Sequence, residues 1–424
     1  MHSLPLARRT FCRNVLGLGL ASLGGGPSTA LAKLSSIIAP KPDWTMLKRY
    51  NNTLTRNEFE YRLKSIFVAD DEALRFFDTS DSAVKIPTGD DAEPTIEIAF
   101  LRAGQAPAQT PPSQGFPAWK PANALAPVAP ERALEGLHIA LDPGHIGGSW
   151  AIMEARHFRV GKSKPVREGE ITLAVAKRLE KRLRALGAKV SFVRKSLSPA
   201  TDKRPSFFSK LLKKDEEGMK LDAPKLKSQS ELMFYRVSEI RARAELVNRK
   251  IQPDLAICLH FNAEEWGDPE NPTLTSTNHL HLLVNGCYHR SEVEKDDIRF
   301  EMLIQLFGGM VNASLAPSEA VARSLAAATE LPPYTYKGRN AARIGPSGYV
   351  WTRNLLANRL YRVPTLFLEP YVMNSRPVWE RIQAGDYEGV RSVSGKSQPS
   401  IFAEYADAVS AGLQKHFSSV RGNA

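Results

Sequence analysis

The sequence predicts an α/β fold, a three-layer αβα sandwich with a mostly parallel central sheet, preceded by a small N-terminal α+β unit. From about residue 136 onward, short apolar segments alternate with longer segments of helical periodicity. The apolar segments contain few polar residues, which is typical of strands buried on both faces. Polar residues that can carry chemistry follow several of these segments, where the ends of parallel strands form sites.

The first strand–helix–strand unit spans residues 137–194. Residues 137–141 (LHIAL) predict a short strand, and residues 189–194 (KVSFVR) predict the next one. Between them, residues 171–186 place apolar side chains at every third or fourth position, which predicts an amphipathic helix. Gly187 follows as a C-terminal helix signal.

A second unit has the same alternation. Residues 238–250 predict a helix, which Pro253 ends, and residues 254–260 (DLAICLH) predict a buried strand. Residues 363–369 (VPTLFLE) predict a further strand. Strands that alternate with helices indicate a parallel sheet covered on both faces.

The N-terminal residues 1–32 predict an export signal, which is removed from the mature protein. Arg8 and Arg9 belong to a positive segment without acidic residues, residues 15–23 (VLGLGLASL) are apolar, and residues 30–32 (ALA) form a small-x-small cleavage site. The arginine pair favours a twin-arginine signal over a general secretory signal. We therefore expect an exported protein of the periplasm or cell envelope.

Residues 33–102 predict a small N-terminal domain whose role the sequence does not indicate. Thr55 and Glu58 have capping-box spacing, and the residues after them predict a helix with one apolar face. Residues 95–101 (TIEIAFL) predict a strand.

Residues 103–135 predict a Pro/Ala-rich linker, since 15 of the 28 residues from 103 to 130 are Pro or Ala. This change in composition marks a domain boundary. Residues 136–420 then form the predicted catalytic domain, with an insertion at about 195–235.

Composition restricts the function classes. The 424 residues contain 57 Lys and Arg against 45 Asp and Glu, a formal charge of +12, which suits a polyanionic partner. No apolar run reaches 18 residues, so we expect no stable membrane span. No nucleic-acid motif is present, and the export signal argues against nucleic acid as the partner. Cys258 and Cys287 form either one disulfide or two buried thiols.

Four residues are candidates for metal-assisted chemistry. His145, His260 and Glu369 follow or end apolar strands, and Glu168 lies at the start of the first predicted helix. Two His and one carboxylate are a ligand set for catalytic zinc with one open position. The remaining carboxylate would be a general base.

The order of these residues and the motifs around them resemble one enzyme family. The motifs are residues 139–148 (IALDPGHIGG), 167–173 (REGEITL), 254–262 (DLAICLHFN) and 363–369 (VPTLFLE), with Asn374 following. They resemble the motifs of the zinc-dependent N-acetylmuramoyl-L-alanine amidases, which trim bacterial peptidoglycan. The resemblance covers roughly residues 136–420.

The resemblance implies that His145, Glu168 and His260 hold one Zn²⁺ and that Glu369 is the catalytic glutamate. It also implies peptidoglycan as the partner and hydrolysis of the amide between N-acetylmuramic acid and L-Ala. Asp142 either orients a ligand His or forms the turn before Pro143. Asn262 and Arg353 are further candidates for supporting or substrate-binding roles.

The chain departs from the family pattern between its first two ligand motifs. The interval from His145 to Glu168 is 23 residues, which is longer than usual in the family. Glu154 within this stretch and Glu170 beyond it are therefore alternative second ligands. His279 and His281 alternate on a predicted strand and share a face, which allows a second metal site but favours a structural role.

Two alternative functions remain open from the sequence. One is another zinc amide hydrolase or peptidase that acts on cell-wall peptides. The other is a catalytically inactive peptidoglycan-binding protein, although none of the four expected residues has been lost. A regulatory protein partner is also left open.

Overall fold

The computed structural model describes residues 37–89, 94–110, 113, 115–212 and 221–421. Within them, a seven-stranded sheet lies between two layers of helices. The predicted fold class, a three-layer αβα sandwich preceded by a small α+β unit, is therefore confirmed.

The strands, in chain order, are β1 (Asp78–Thr79), β2 (Ala83–Pro87), β3 (Thr95–Ala99), β4 (His138–Pro143), β5 (His157–Phe158), β6 (Val166–Arg167), β7 (Lys189–Phe192), β8 (Leu255–Leu259), β9 (Leu280–Val284), β10 (Ala342–Arg343), β11 (Val350–Thr352), β12 (Thr365–Pro370), β13 (Val390–Val393) and β14 (Lys396–Pro399). The α-helices are α1 (Arg56–Arg62), α2 (Trp150–Met153), α3 (Glu168–Ala185), α4 (Pro205–Leu211), α5 (Ala223–Leu232), α6 (Glu239–Glu245), α7 (Arg290–Val293), α8 (Asp296–Gly308), α9 (Met310–Thr329), α10 (Leu356–Leu360), α11 (Arg376–Gln383) and α12 (Ile401–Arg421). Short 3₁₀ or π turns cover Trp44–Tyr50, Leu63–Phe67, Asp71–Phe76, Ala122–Ala124, Pro130–Arg132, Met233–Ser238 and Leu246–Ile251.

The order of the large sheet is β10-β11-β9-β12-β8-β4-β7. Strands β7, β4, β8 and β12 run parallel to one another, whereas β9 runs antiparallel to β12. The carboxyl ends of β4, β8 and β12 therefore meet at one edge of the sheet, which is where ligands bind in folds of this kind.

Successive side chains of the central strands enter different cores. Leu366 and Leu368 of β12 belong to the larger core, which includes apolar residues of α3, α9 and α12. Phe367 between them belongs to the second core, together with residues near α4, α6 and α10. This alternation follows from the two-residue side-chain period of a strand and explains why the strands are apolar throughout.

Helix α3 begins three residues earlier than the sequence pattern predicted. Its buried side chains include Val175, Leu179 and Leu183, the apolar face that predicted the helix. Gly187 adopts φ +94°, the left-handed conformation that commonly follows a helix end.

The N-terminal unit contains the antiparallel sheet β1-β2-β3 and helix α1. Thr55 and Glu58 form the predicted capping box at the start of α1. The ring of Phe59 stacks on that of Phe307 in α8 at 5.4 Å, and Arg62 donates to the Leu306 carbonyl at 2.8 Å. The small unit therefore shares a continuous core with the large one.

The Pro/Ala-rich segment lies against the main body. The backbone N–H of Lys120 donates to Asp254 at 2.9 Å. Arg421, at the end of α12, donates to the carbonyls of Ala126 and Ala133. The described residues of this segment are thus hydrogen-bonded to the residue before β8 and to the end of α12.

The insertion at 195–235 contains α4 and α5, and its residues 213–220 lie outside the described part of the chain. Phe208 is fully buried, whereas Phe207 and Leu211 are about half exposed. The predicted export signal at 1–32 also falls outside the described residues. Of the helices that are described, none combines the length and apolar character needed to cross a membrane.

Candidate metal centre

Three side chains from separate segments converge where β4 and β8 end. One nitrogen from each of His145 and His260 and one oxygen of Glu168 lie within 4.8 Å of one another. His145 Nε2 is 3.2 Å from Glu168 Oε2, and His260 Nδ1 is 3.1 Å from Glu168 Oε1. These are the three residues predicted as metal ligands, and their mixed nitrogen and carboxylate donors suit zinc.

The pKa shifts of His145 and Glu168 fit a cation at this position, whereas the contact with Glu168 and the charge of Glu369 outweigh burial and raise the pKa of His260. Burial lowers the pKa of His145 well below its ordinary value, so its imidazole is neutral and can offer a lone pair. Burial alone would raise the pKa of Glu168, but the neighbouring imidazoles and the Arg156 guanidinium outweigh it. The pKa of Glu168 is therefore held below its ordinary value, and the carboxylate is ionised.

The loop after β4 brings His145 into place by an unusual backbone conformation. His145 has φ +57°, in the left-handed region that non-glycine residues seldom occupy. At the preceding Gly144, an added Cβ would lie 2.3 Å from Cε1 of His260. Only glycine therefore allows the main chain to pass this close to the second imidazole.

Glu154, an alternative ligand in the sequence analysis, lies on the opposite side of the His145 ring. Its Oε1 is 3.4 Å from Nδ1 of His145, while Nε2 faces Glu168. The Glu154 carboxylate also accepts the backbone N–H groups of Ile146 and Gly147. This contact orients the His145 imidazole from behind, a common role for a carboxylate next to a metal site.

Glu170, the other alternative ligand, forms an ion pair with Arg167 at 2.9 Å, and its side chain is one-third exposed. Among the described residues, the group that could hold a metal ion contains neither Glu154 nor Glu170.

Asp142 supports the loop through a buried ion network. Its carboxylate accepts Arg243 Nη1 at 2.8 Å and the Tyr361 hydroxyl at 2.6 Å. Arg243 also donates to the His145 carbonyl at 2.8 Å and to Glu239 at 2.8 Å. Asp142 thus acts on the position of His145 through Arg243.

A second buried arginine ties the same loop to α3. Arg194 donates to the Gly169 carbonyl at 2.8 Å and to the Pro143 carbonyl at 3.4 Å. It therefore connects the segment that carries His145 with the helix that begins at Glu168.

Glu369 lies in β12, beside the strand that leads to His260. The His260 N–H donates to the Leu368 carbonyl at 3.0 Å, and its imidazole stacks on Phe367 at 4.4 Å. Glu369 lies two residues after Phe367 and thus on the same face of the sheet. Burial, reinforced by the charge of Glu168, raises the pKa of Glu369 to about 7. A carboxyl with a pKa near neutrality suits proton transfer.

The remaining candidates lie close to this group. Asn262 accepts the Ala263 N–H on its side-chain oxygen and bridges to Val372 through its backbone, so it shapes the loop after β8. Arg353 follows β11 and donates to the Tyr336 hydroxyl at 3.2 Å. Its charge lowers the pKa of Glu369, as does that of Arg156.

His279 and His281 are buried at the start of β9 and contact aromatic rings and polar side chains. His281 Nε2 is 2.9 Å from the Tyr336 hydroxyl, and His279 Nε2 is 3.3 Å from Glu264 Oε1. Within the described residues they join no group of three metal-ligating side chains. This arrangement agrees with the favoured structural role.

Cys258 and Cys287 are both free thiols and both buried. Of the two alternatives for these residues, the pair of buried thiols is therefore confirmed.

Three arginines of the site were not among the predicted residues: Arg156, Arg194 and Arg243. Arg194 and Arg243 are far in sequence from the loop that they support, and Arg156 lies within the interval between His145 and Glu168. None of the three belongs to a recognisable motif. The helical segment with several arginines before β8 was the one available signal, and it contains Arg243.

Comparison with known proteins gave structural neighbours only. No protein-family model matches the chain, and no curated protein matches it. A solved N-acetylmuramyl-L-alanine amidase from Mycobacterium smegmatis aligns with 16% identity and a TM-score of 0.36, covering 68% of this chain and 99% of that one.

Two further neighbours give similar values. The CwlD amidase of Clostridioides difficile, solved in complex with the GerS lipoprotein, aligns with 13% identity and a TM-score of 0.36, covering 67% of this chain and 100% of that one. An N-acetylmuramoyl-L-alanine amidase of Nostoc punctiforme aligns with 13% identity and a TM-score of 0.35, covering 66% of this chain and 97% of that one.

Proposed function

We propose that this protein is a zinc-dependent hydrolase that cleaves the amide between N-acetylmuramic acid and L-Ala of the peptidoglycan stem peptide. The observation that carries the proposal is the convergence of His145, Glu168 and His260 within 4.8 Å. The motif order of the sequence supports the same assignment. The predicted export signal agrees with action on the cell wall, in the periplasm or cell envelope.

His145, Glu168 and His260 would hold the zinc ion. Bound there, zinc would acidify a water molecule and polarise the scissile carbonyl. Glu154 keeps the ring of His145 oriented through Nδ1, and Arg243 holds the carbonyl of the same residue.

Glu369 would act as general base and then as general acid. Its carboxylate would accept a proton from the attacking water and deliver it to the nitrogen of the leaving L-Ala. Its raised pKa favours this exchange near neutral pH.

Two measurements test the proposal on the full-length mature chain. Zinc content should be one ion per chain and should fall strongly in His260→Ala. Digestion of purified peptidoglycan should release new N-terminal L-Ala without cuts between amino acids, as mass spectrometry of the products would show. A product cut within the stem peptide would favour the peptidase alternative. Zinc binding without any product would favour a wall-binding protein.

A further inference from the structure

A row of polar side chains crosses β8, β12 and β9 beside the proposed metal centre. In the antiparallel pairing of β9 with β12, His281 lies directly opposite Glu369. His260 follows β8 on the other side of β12, and its N–H donates to the Leu368 carbonyl at 3.0 Å. The three side chains share one face of the sheet, since the residues two positions away from them all enter the second core: Leu283, Phe367 and Cys258.

This register brings a buried imidazole next to the proposed general base. Residues directly opposite each other on antiparallel strands have Cβ atoms about 4.5–5.5 Å apart, which is within the reach of a hydrogen bond between a His and a Glu side chain. His281 is 3% exposed, so both of its ring nitrogens need partners inside the protein. Nε2 has one, the Tyr336 hydroxyl at 2.9 Å. Nδ1 is buried and makes no hydrogen bond within the described residues.

The contacts of Tyr336 determine which nitrogen of His281 carries the proton. Burial lowers the pKa of His281 well below its ordinary value, so the ring is neutral, with one N–H and one lone pair. Arg353 donates from Nη1 to the Tyr336 hydroxyl at 3.2 Å, and a guanidinium group cannot accept a hydrogen bond. The hydroxyl proton is therefore donated to Nε2 of His281, which leaves the imidazole proton on Nδ1.

The Nδ1–H group lies on the side of the ring nearer to Glu369. Nε2 faces Tyr336, whose ring packs on Trp351 of β11 with centroids 5.2 Å apart. Strands β11 and β12 flank β9 on opposite sides, so the other ring nitrogen is on the β12 side. Within the described part of the chain, no hydrogen bond reaches the Glu369 carboxylate. A buried donor without a partner is costly, and a glutamate side chain can rotate about three bonds to accept from it.

We propose that His281 is a positioning residue, whose Nδ1–H donates a hydrogen bond to the Glu369 carboxylate and holds it in one orientation for proton transfer. This inference rests on the proposed function, in which Glu369 is the general base. One carboxylate oxygen accepts from His281, which leaves the other oxygen to exchange a proton with the reacting groups. Tyr336 acts through His281, because it fixes the tautomer of the ring.

Two substitutions at His281 separate this role from packing. His281→Asn keeps an amide N–H near the position of Nδ1, whereas His281→Gln keeps its amide near Nε2 and leaves no donor opposite Glu369. With the zinc-loaded full chain and N-acetylmuramoyl-L-Ala-γ-D-Glu-meso-diaminopimelate, kcat should fall about tenfold or more in His281→Gln at unchanged KM, the size of a hydrogen bond to a charged group. His281→Asn should keep most of the kcat. The matched control is His279→Gln, also buried at the start of the same strand, which should leave kcat unchanged.

A spectroscopic measurement makes the outcome independent of turnover. In the full chain labelled with ¹⁵N-histidine, proton–nitrogen correlation spectra show which ring nitrogen of His281 is protonated, and the resonance is assigned by its loss in His281→Gln. We expect the proton on Nδ1. Glu369→Ala should shift this proton resonance upfield, as expected for the loss of a hydrogen bond, whereas Glu170→Ala at the surface should leave it in place.

The two measurements distinguish failure of the positioning role from failure of the proposed function. A proton on Nε2, or an Nδ1–H resonance that Glu369→Ala does not move, would overturn the proposal. Equal losses of kcat in His281→Asn and His281→Gln, with zinc content and thermal midpoint retained, would also overturn it. An Nδ1–H resonance that responds to Glu369→Ala in a protein that hydrolyses no muramoyl compound would support the contact and contradict the proposed function.

Discussion

The geometry of the proposed metal centre depends on the absence of a side chain at Gly144. A Cβ at this position would lie 2.3 Å from the His260 ring, and the ring itself is fixed by its stack on Phe367. We expect Gly144→Ala to displace His260 and to lower zinc affinity at least about tenfold, with the fold retained. Zinc titration with a competing chelator measures this.

Gly89 is the matched control for this substitution. An added Cβ there meets no atom within 4 Å, and its backbone does not require glycine. Gly89→Ala should therefore bind zinc like the unchanged protein. Equal zinc affinity in the two alanine variants would contradict the role assigned to Gly144.

A substitution at Glu369 should lower the reaction rate without lowering the zinc content. Glu369→Gln keeps the shape of the side chain but removes its capacity to accept a proton. We expect a loss of about 10²-fold or more in kcat, with one zinc per chain still bound. The measurements are the rate of L-Ala N-terminus release and the metal content of the same preparation.

Glu168→Gln and Glu170→Gln provide the comparison for that variant. The first should lose zinc, and the second should change neither zinc content nor activity, because Glu170 pairs with Arg167 at the surface. Zinc loss in Glu170→Gln would instead favour the alternative ligand.

At the scale of elements, the loop after β4 depends on the Asp142–Arg243–Glu239 network. Arg243→Met would leave two buried carboxylates without their partner, which typically costs about 3–5 kcal/mol in the free energy of unfolding. Urea denaturation should show this loss. Tyr361→Phe removes only one hydrogen bond to Asp142 and should cost about 1 kcal/mol. Equal small losses in the two variants would argue against a role for Arg243 in holding the loop.

The elements that position the ligands were predictable from local patterns. The strands that lead to His145, His260 and Glu369 are continuous apolar segments. The helix that begins at Glu168 has apolar side chains at every third or fourth position. Both patterns can be recognised from the sequence alone. Arg194 and Arg243 were not predictable, since their roles depend on carbonyl groups that only the folded loop brings near them. The position of Glu154 behind His145 could not be predicted for the same reason. Its place in the interval between His145 and Glu168 made it a candidate ligand, but the left-handed turn at His145 places the Glu154 carboxylate beside Nδ1 of that ring.

At the scale of the whole molecule, the structure shows contacts between segments that the sequence did not predict. Composition predicted a linker over residues 103–135, and Lys120 within it is hydrogen-bonded to Asp254 of the large unit. The pattern of a segment shows which of its side chains avoid solvent, but it does not show which other segment they will contact. The contact between Phe59 and Phe307 could not be predicted for the same reason.

The contact between Phe59 and Phe307 predicts that the N-terminal unit unfolds together with the large unit that carries the proposed metal centre. Phe59 is fully buried, and its ring contacts Phe77, Phe100 and Phe307. Phe59→Ala should cost about 3–5 kcal/mol and lower the urea midpoints of both far-ultraviolet circular dichroism and zinc release by the same amount. Tyr61→Ala on the same helix should change neither midpoint, because Tyr61 is 64% exposed.

Two separate transitions in Phe59→Ala, with zinc release unchanged, would instead mean that the N-terminal unit is independently stable. Coincident transitions would make the unit part of the scaffold that keeps the proposed ligands in position, although none of its described residues belongs to the group that could hold a metal ion.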